Sequence, residues 1–249
     1  LAIKGEFVDI PELTRMISGL SDVSRYRIAL QSVQNKDPAH AFEELLALPN
    51  RDQSRDFAMY AAIQEWGKKA PEEALSRILR LEKNTQRDGL LHSVLQAWAS
   101  VDPEAALLAA FAAGNEIENG PMMVLMEAGR SNGSEAVKLV ESYSDRLGNR
   151  AMNNALMGWA MSDPRAAAAY VEANGLATND EIIQFSLQFY GREYPREAYE
   201  WGVRVGVTAK GMKSIVGMVA GNNPLEAEQM MLELPPGIDR DQFLVGIAS

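Results

Sequence analysis

The chain has no cysteine. That excludes disulfides, thiolate nucleophiles and thiolate metal sites. It has two histidines, His40 and His92, in different segments, so no His-x-x-x-His metal pair exists. No phosphate-cradling glycine loop is present, and the glycines are scattered rather than clustered. Carboxylates are abundant, but no spacing marks a general acid/base pair. Basic residues are the minority, 24 against 34 acids, for a formal net charge of −10. A chain so charged is a poor ligand for nucleic acid or anionic membrane surfaces, where Lys and Arg supply the attraction. No apolar run approaches the roughly 18 residues that span a bilayer. These absences predict a non-enzymatic protein with no metal and no cofactor, no nucleic-acid partner and no membrane insertion.

What is present is a repeat. Alanine recurs at 41, 74, 106, 136, 167, 198 and 227, at intervals of 33, 32, 30, 31, 31 and 29. Proline stands three residues before it in six copies (Pro38, Pro71, Pro103, Pro164, Pro195 and Pro224), and Gly133 takes that place in the fourth. With each alanine counted as position 0, further columns stay in phase. Position −8 holds Val33, Trp66, Trp98, Ala128, Trp159, Tyr190 and Val219. Position −11 holds Leu30, Ile63, Leu95, Leu125, Leu156, Leu187 and Val216, and position −15 holds Tyr26, Met59, Leu91, Pro121, Met152, Ile183 and Met212. Position −12 is apolar or small. Steps of three and four describe one face of an α-helix. Position −7 is Gly or Ala in six of seven copies, which lets neighbouring helices approach closely.

Each repeat therefore reads as helix A, a tight turn and helix B. Asp37, Asp102, Asp163 and Asn223 occupy the N-cap of helix B, where a side-chain oxygen accepts from orphan N–H groups. Proline follows at the first helical position, where it loses no hydrogen bond. A period near 31 residues is the mark of a stacked repeat array. The predicted fold is all-α, a right-handed αα-superhelix of about seven helix-turn-helix repeats. It forms a single solenoid domain over 1–249. Residues 1–20 read as a degenerate leading unit, 21–235 as seven repeats and 236–249 as a partial C-terminal helix whose apolar residues are Phe243, Leu244 and Ile247. The Trp66, Trp98 and Trp159 column is assigned to the core.

The A helix, with large residues around small ones, and a B helix with Ala near its start resemble the tetratricopeptide repeat. On that resemblance Leu91, Val94, Leu95 and Trp98 match the core positions of helix A. The departures are a mean period of 31 against 34, Pro before rather than after helix B, and Leu, Ile or Val at the helix-A glycine. The Trp-Ala-x-x-Asp-Pro signature is also similar to the superhelical scaffold of soluble lytic transglycosylases, whose catalytic part has no counterpart here.

The resemblance implies that the A helices line a concave, partner-binding face. Two columns on that face are neither core nor small. Position −14 holds Arg27, Tyr60, His92, Met122, Asn153, Gln184 and Lys213; position −10 holds Gln31, Gln64, Gln96, Met126, Met157, Gln188 and Gly217. Glutamine amides offer paired donors and acceptors to a peptide backbone, and methionines adapt to apolar partners. The plainer reading is that Gln is a good soluble helix former and Met fills irregular core. The expectation is a scaffold binding a peptide or protein in this groove. The alternative is the structural arm of a larger bacterial cell-envelope enzyme whose catalytic domain lies outside the chain. End-to-end stacking of terminal repeats would also allow a homo-oligomer. The chain opens at Leu1 without a leader pattern, which fits a removed export segment or a longer parent protein, and of the two compartments the bacterial periplasm is favoured over the cytoplasm.

Overall fold

The computed structural model describes residues 37–47, 53–207, 209–221 and 223–233. The leading unit, the first A helix with Arg27 and Gln31, and the C-terminal apolar segment lie outside the described residues. Thirteen α-helices are found among the described residues, and no strand. They are α1 (Pro38–Ala47), α2 (Gln53–Lys69), α3 (Pro71–Leu79), α4 (Thr85–Ala99), α5 (Pro103–Ala113), α6 (Gly120–Ser131), α7 (Gly133–Ser142), α8 (Ala151–Ser162), α9 (Pro164–Ala173), α10 (Asp180–Glu193), α11 (Pro195–Arg204), α12 (Ala209–Ala220) and α13 (Pro224–Glu233). Even numbers are A helices and odd numbers are B helices. The chain divides into two compact bodies between Val124 and Leu125, inside the divergent fourth repeat.

The turn between A and B is built from a single capping residue. In four repeats one residue, Ala70, Asn132, Asp163 or Tyr194, separates the two helices. Its N–H donates to the carbonyl at position −8, as from Asp163 to Trp159 at 2.8 Å and from Tyr194 to Tyr190 at 2.7 Å. Its carbonyl accepts from the anchoring alanine, as from Ala167 at 3.1 Å and from Ala198 at 2.9 Å. One residue thus closes helix A and opens helix B. The predicted caps are in place: Asp102 and Asp163 accept from Ala105 and Ala166 N–H at 3.0 Å, Asp37 from His40 at 3.2 Å and Asn223 from Glu226 at 3.3 Å. Asn132 caps α7 in the same way. Ala70 and Tyr194 supply no side-chain cap, and there Pro71 and Pro195 at the first helical position remove a donor that would otherwise go unpaired.

The core follows the columns. All seven anchoring alanines are at most 1 % exposed. Positions −11 and −12 are buried in every described A helix, including Ile63, Leu95, Leu125, Leu156, Leu187 and Val216. α2, α4, α8, α10 and α12 each pack on their own B helix and on the B helix before it, and α2–α4, α8–α10 and α10–α12 pack A on A. The small column makes that approach close. A Cβ on Gly129 would stand 2.1 Å from the Ala155 carbonyl oxygen, and one on Gly158 would stand 1.9 Å from the Met126 carbonyl oxygen. On Gly67 it would meet the Ala97 Cβ at 2.9 Å.

The tryptophan column needs one correction. Trp66 and Trp98 are buried, but Trp159 is only half-buried. Its ring lies against Gly133, where a Cβ would stand 1.9 Å from Cδ2, and tilts against Tyr170 with 5.4 Å between ring centroids. The indole occupies the space that a proline at position 133 would need.

Candidate functional site

The two A-helix columns separate by exposure. Gln96, Gln184, Gln188 and Lys213 are exposed, whereas Tyr60, Gln64, His92, Met122, Met126 and Met157 are half-buried. Asn153 is buried at 6 % exposure, and its amide donates to Glu181 Oε2 at 2.7 Å. Asn153 is therefore a strut between neighbouring A helices rather than a surface group, because its length just spans the gap between α8 and the start of α10.

Tyr60 and Gln64 show the same geometry one turn apart. A Cβ on Gly89 would stand 2.6 Å from Tyr60 Oη, and Gln64 Nε2 donates to the Ser93 carbonyl at 3.4 Å. In all three cases a residue of one repeat meets the residue three positions earlier in the next repeat's register. The A-helix face is thus partly consumed in stacking, and the exposed glutamines form its outer edge.

A second rule governs the B helices. Successive B helices meet through long side chains rather than directly. Arg77 makes a bidentate pair with Glu43, at 2.6 and 2.9 Å. Arg165 makes one with Glu197, and its guanidinium also lies 3.5 Å from the centroid of the Tyr194 ring. Arg204 pairs with Glu172 at 2.8 Å. In register terms, positions −2, +2 and +5 of one B helix face −1, +3 and +6 of the next. The order is the same along both, so neighbouring B helices run in the same direction. Arg196 departs from the rule and reaches Glu233 at 3.0 Å as well as Glu200.

The charges of this ladder hold one another ionised. Hydrogen bonds from Lys83 and then Arg87 hold the Glu116 carboxyl below its usual range, and Arg165 does the same for Glu197. Tyr199, 1 % exposed, donates its hydroxyl to the Met230 carbonyl, and burial first and Glu233 second push its pKa up to about 12.

Two buried arginines do related work from the A side. Arg55 Nε donates to the Leu45 carbonyl at 2.8 Å, and Arg87 Nη2 donates to the Leu79 carbonyl at 3.2 Å. Each stands at position −19 and caps the C-terminus of the preceding B helix. Neither the ladder nor these caps is evident from one copy of the repeat. Both emerge when adjacent copies are aligned and compared position by position.

Among the described residues no group of three or more His, Asp or Glu side chains could hold a metal ion, and no helix is long and apolar enough to cross a membrane. Comparisons with protein-family models, with curated proteins and with solved structures find no match.

Proposed function

We propose that this chain is a tetratricopeptide-like αα-superhelical scaffold that binds a protein or peptide partner on its A-helix face. The observation that supports it is a contrast within one helix. Positions −11 and −12 are apolar or small and buried in every described repeat, while positions −14 and −10 change chemistry from copy to copy and present Gln96, Gln184, Gln188 and Lys213 to solvent. A fold that repeats its packing and varies its surface has separated stability from recognition.

The experiment is affinity capture from native extract, comparing wild type with a variant carrying Gln96→Ala, Gln184→Ala, Gln188→Ala and Lys213→Ala, read by mass spectrometry. These positions are exposed, so the variant keeps its helical circular dichroism and melting curve. A partner captured by wild type and lost with the variant is the expected result; capture that ignores the four substitutions would move the site off this face. The superhelix itself is tested by small-angle scattering. A compact body of this length has a radius of gyration of about 18 Å, and the extended array is expected to exceed it clearly.

A further inference from the structure

The gap between α3 and α5 differs from the one before it. Between α1 and α3 the hollow is about 340 Å³ and is crossed by the Arg77–Glu43 pair. Between α3 and α5 it is about 710 Å³, with Trp98 as the residue shared with helix A. A further hollow of about 410 Å³, at Pro71 and Asp102, extends it past the start of both helices. The register explains the opening. The α5 positions that would reach across, −1, +3 and +6, are Ala105, Ala109 and Ala112, opposite Glu72, Ser76 and Leu79. In every other repeat position +3 is a larger residue: Glu44, Arg77, Leu139, Tyr170, Trp201 or Met230. The result is a groove walled by Leu75, Leu79 and Leu108, with Leu108 42 % exposed.

We propose that this groove is a docking site for one amphipathic α-helix of a partner protein, lying antiparallel to α3 and α5. Three features choose that occupant. The walls are helices whose backbone groups bond internally, so they offer nothing to an extended strand, whereas a helix brings its own backbone already paired. The groove is apolar along its length and charged at its ends. Glu72 at the start of α3 and Arg80 just past its end both line it, and neither has an ion-pair partner among the described residues; Arg80 makes only a 3.1 Å bond to Ser76 Oγ. Eight residues of helix separate them, about 12 Å. A matching helix therefore carries apolar residues at i, i+4 and i+7, a cation facing Glu72 and an anion facing Arg80. Cations favour the C-terminal end of a helix and anions its N-terminal end. The partner's C-terminus accordingly lies beside the N-terminus of α3, which sets the antiparallel direction. The site is separate from the A-helix face, and its test fails or succeeds independently of that reading.

The test uses the full chain and a defined probe. The probe is an acetylated, amidated, alanine-based helical peptide of about 16 residues with leucines at i, i+4 and i+7, a glutamate in its first turn, a lysine eight residues later and a fluorophore for anisotropy. Saturable binding to wild type is expected. Ala109→Arg fills the groove and should weaken binding at least about tenfold (1.4 kcal/mol per tenfold) without lowering the melting temperature, since Arg is the native residue at this position in the second repeat. Ala112→Arg is the second variant should the first fold poorly, because position +6 is Arg80 in the second repeat and Arg204 in the sixth. Glu72→Lys with Arg80→Glu should weaken the probe and bind better a probe with its charges exchanged. No saturable binding to wild type, wild-type affinity in both filled variants, or no response to charge exchange would each overturn the proposal. So would wild-type self-association in sedimentation that Ala109→Arg abolishes, since the occupant would then be a second copy.

Discussion

At the scale of single residues, glycine positions distinguish contact from conformation. Gly129 and Gly158 face each other's helices so closely that a methyl group on either would overlap a backbone carbonyl, at 2.1 and 1.9 Å. Backbone cannot rotate away as a side-chain tip can. Gly129→Ala or Gly158→Ala should therefore cost about 1–3 kcal/mol or more by overpacking. Gly217 is also helical, yet a Cβ there meets nothing within 4 Å. Gly217→Ala should stabilise by about 0.5–1 kcal/mol, the backbone freedom that glycine gives up in a helix. Denaturant unfolding of the three variants measures both signs, and equal effects would refute the close-contact account. Tyr199 makes the matching prediction in pH. Its pKa is raised from 10.0 to about 12, so the neutral hydroxyl is the form the fold prefers. The stability it contributes is fully present below pH 10 and is lost as pH rises towards 12. Tyr199→Phe should flatten that alkaline loss while lowering stability near neutrality through the orphaned Met230 carbonyl.

At the scale of the element, the capping residue does most of the work, and it was the most readable part of the sequence. Asp102 and Asp163 each satisfy one orphan N–H and sit between two helices, so Asp102→Ala or Asp163→Ala should cost about 1 kcal/mol in thermal or denaturant melts. A loss no larger than that of an exposed Glu→Ala substitution would mean that the proline alone sets the turn. Periodicity made the helices, their boundaries and the apolar columns legible, because burial imposes the same residue class at each phase-matched position. What stayed hidden was pairing between copies. Asn153 reads as a groove residue in its own helix, and only the presence of Glu181 on the next A helix makes it a strut. Trp159 reads as core by its column, yet Gly133 and Tyr170 draw its ring to the edge of the repeat. The open groove at Ala105, Ala109 and Ala112 is likewise a property of two helices at once. Periodicity within one copy constrains a helix's own faces; it says nothing of the residue that meets it from the next copy.

At the scale of the whole molecule, these pairing rules make the fold modular in a way that can be cut. Within each body, a residue of one B helix meets the residue one position later in the next copy, and the A-helix struts meet three positions earlier, so the described pairs join neighbouring copies. Removing one full period should then leave every surviving residue facing the same class of partner. Deleting residues 137–167 joins Ala136 to Ala168 and removes 31 residues, one repeat of the C-terminal body. The fused B helix keeps the Asn132 cap at its start and Val171 among its buried positions, and Gly129 still presents its small face to an incoming A helix. The shortened chain should retain its helical ellipticity per residue at 222 nm and a cooperative melt. Deleting about half a period from the same place would put A-helix columns where B-helix columns belong, burying polar edge positions and exposing apolar ones, which costs several kcal/mol at each misplaced contact. That chain should lose its melt. If both deletions behave alike, the phase of the columns is not what holds the helices together, and the repeat reading falls with it.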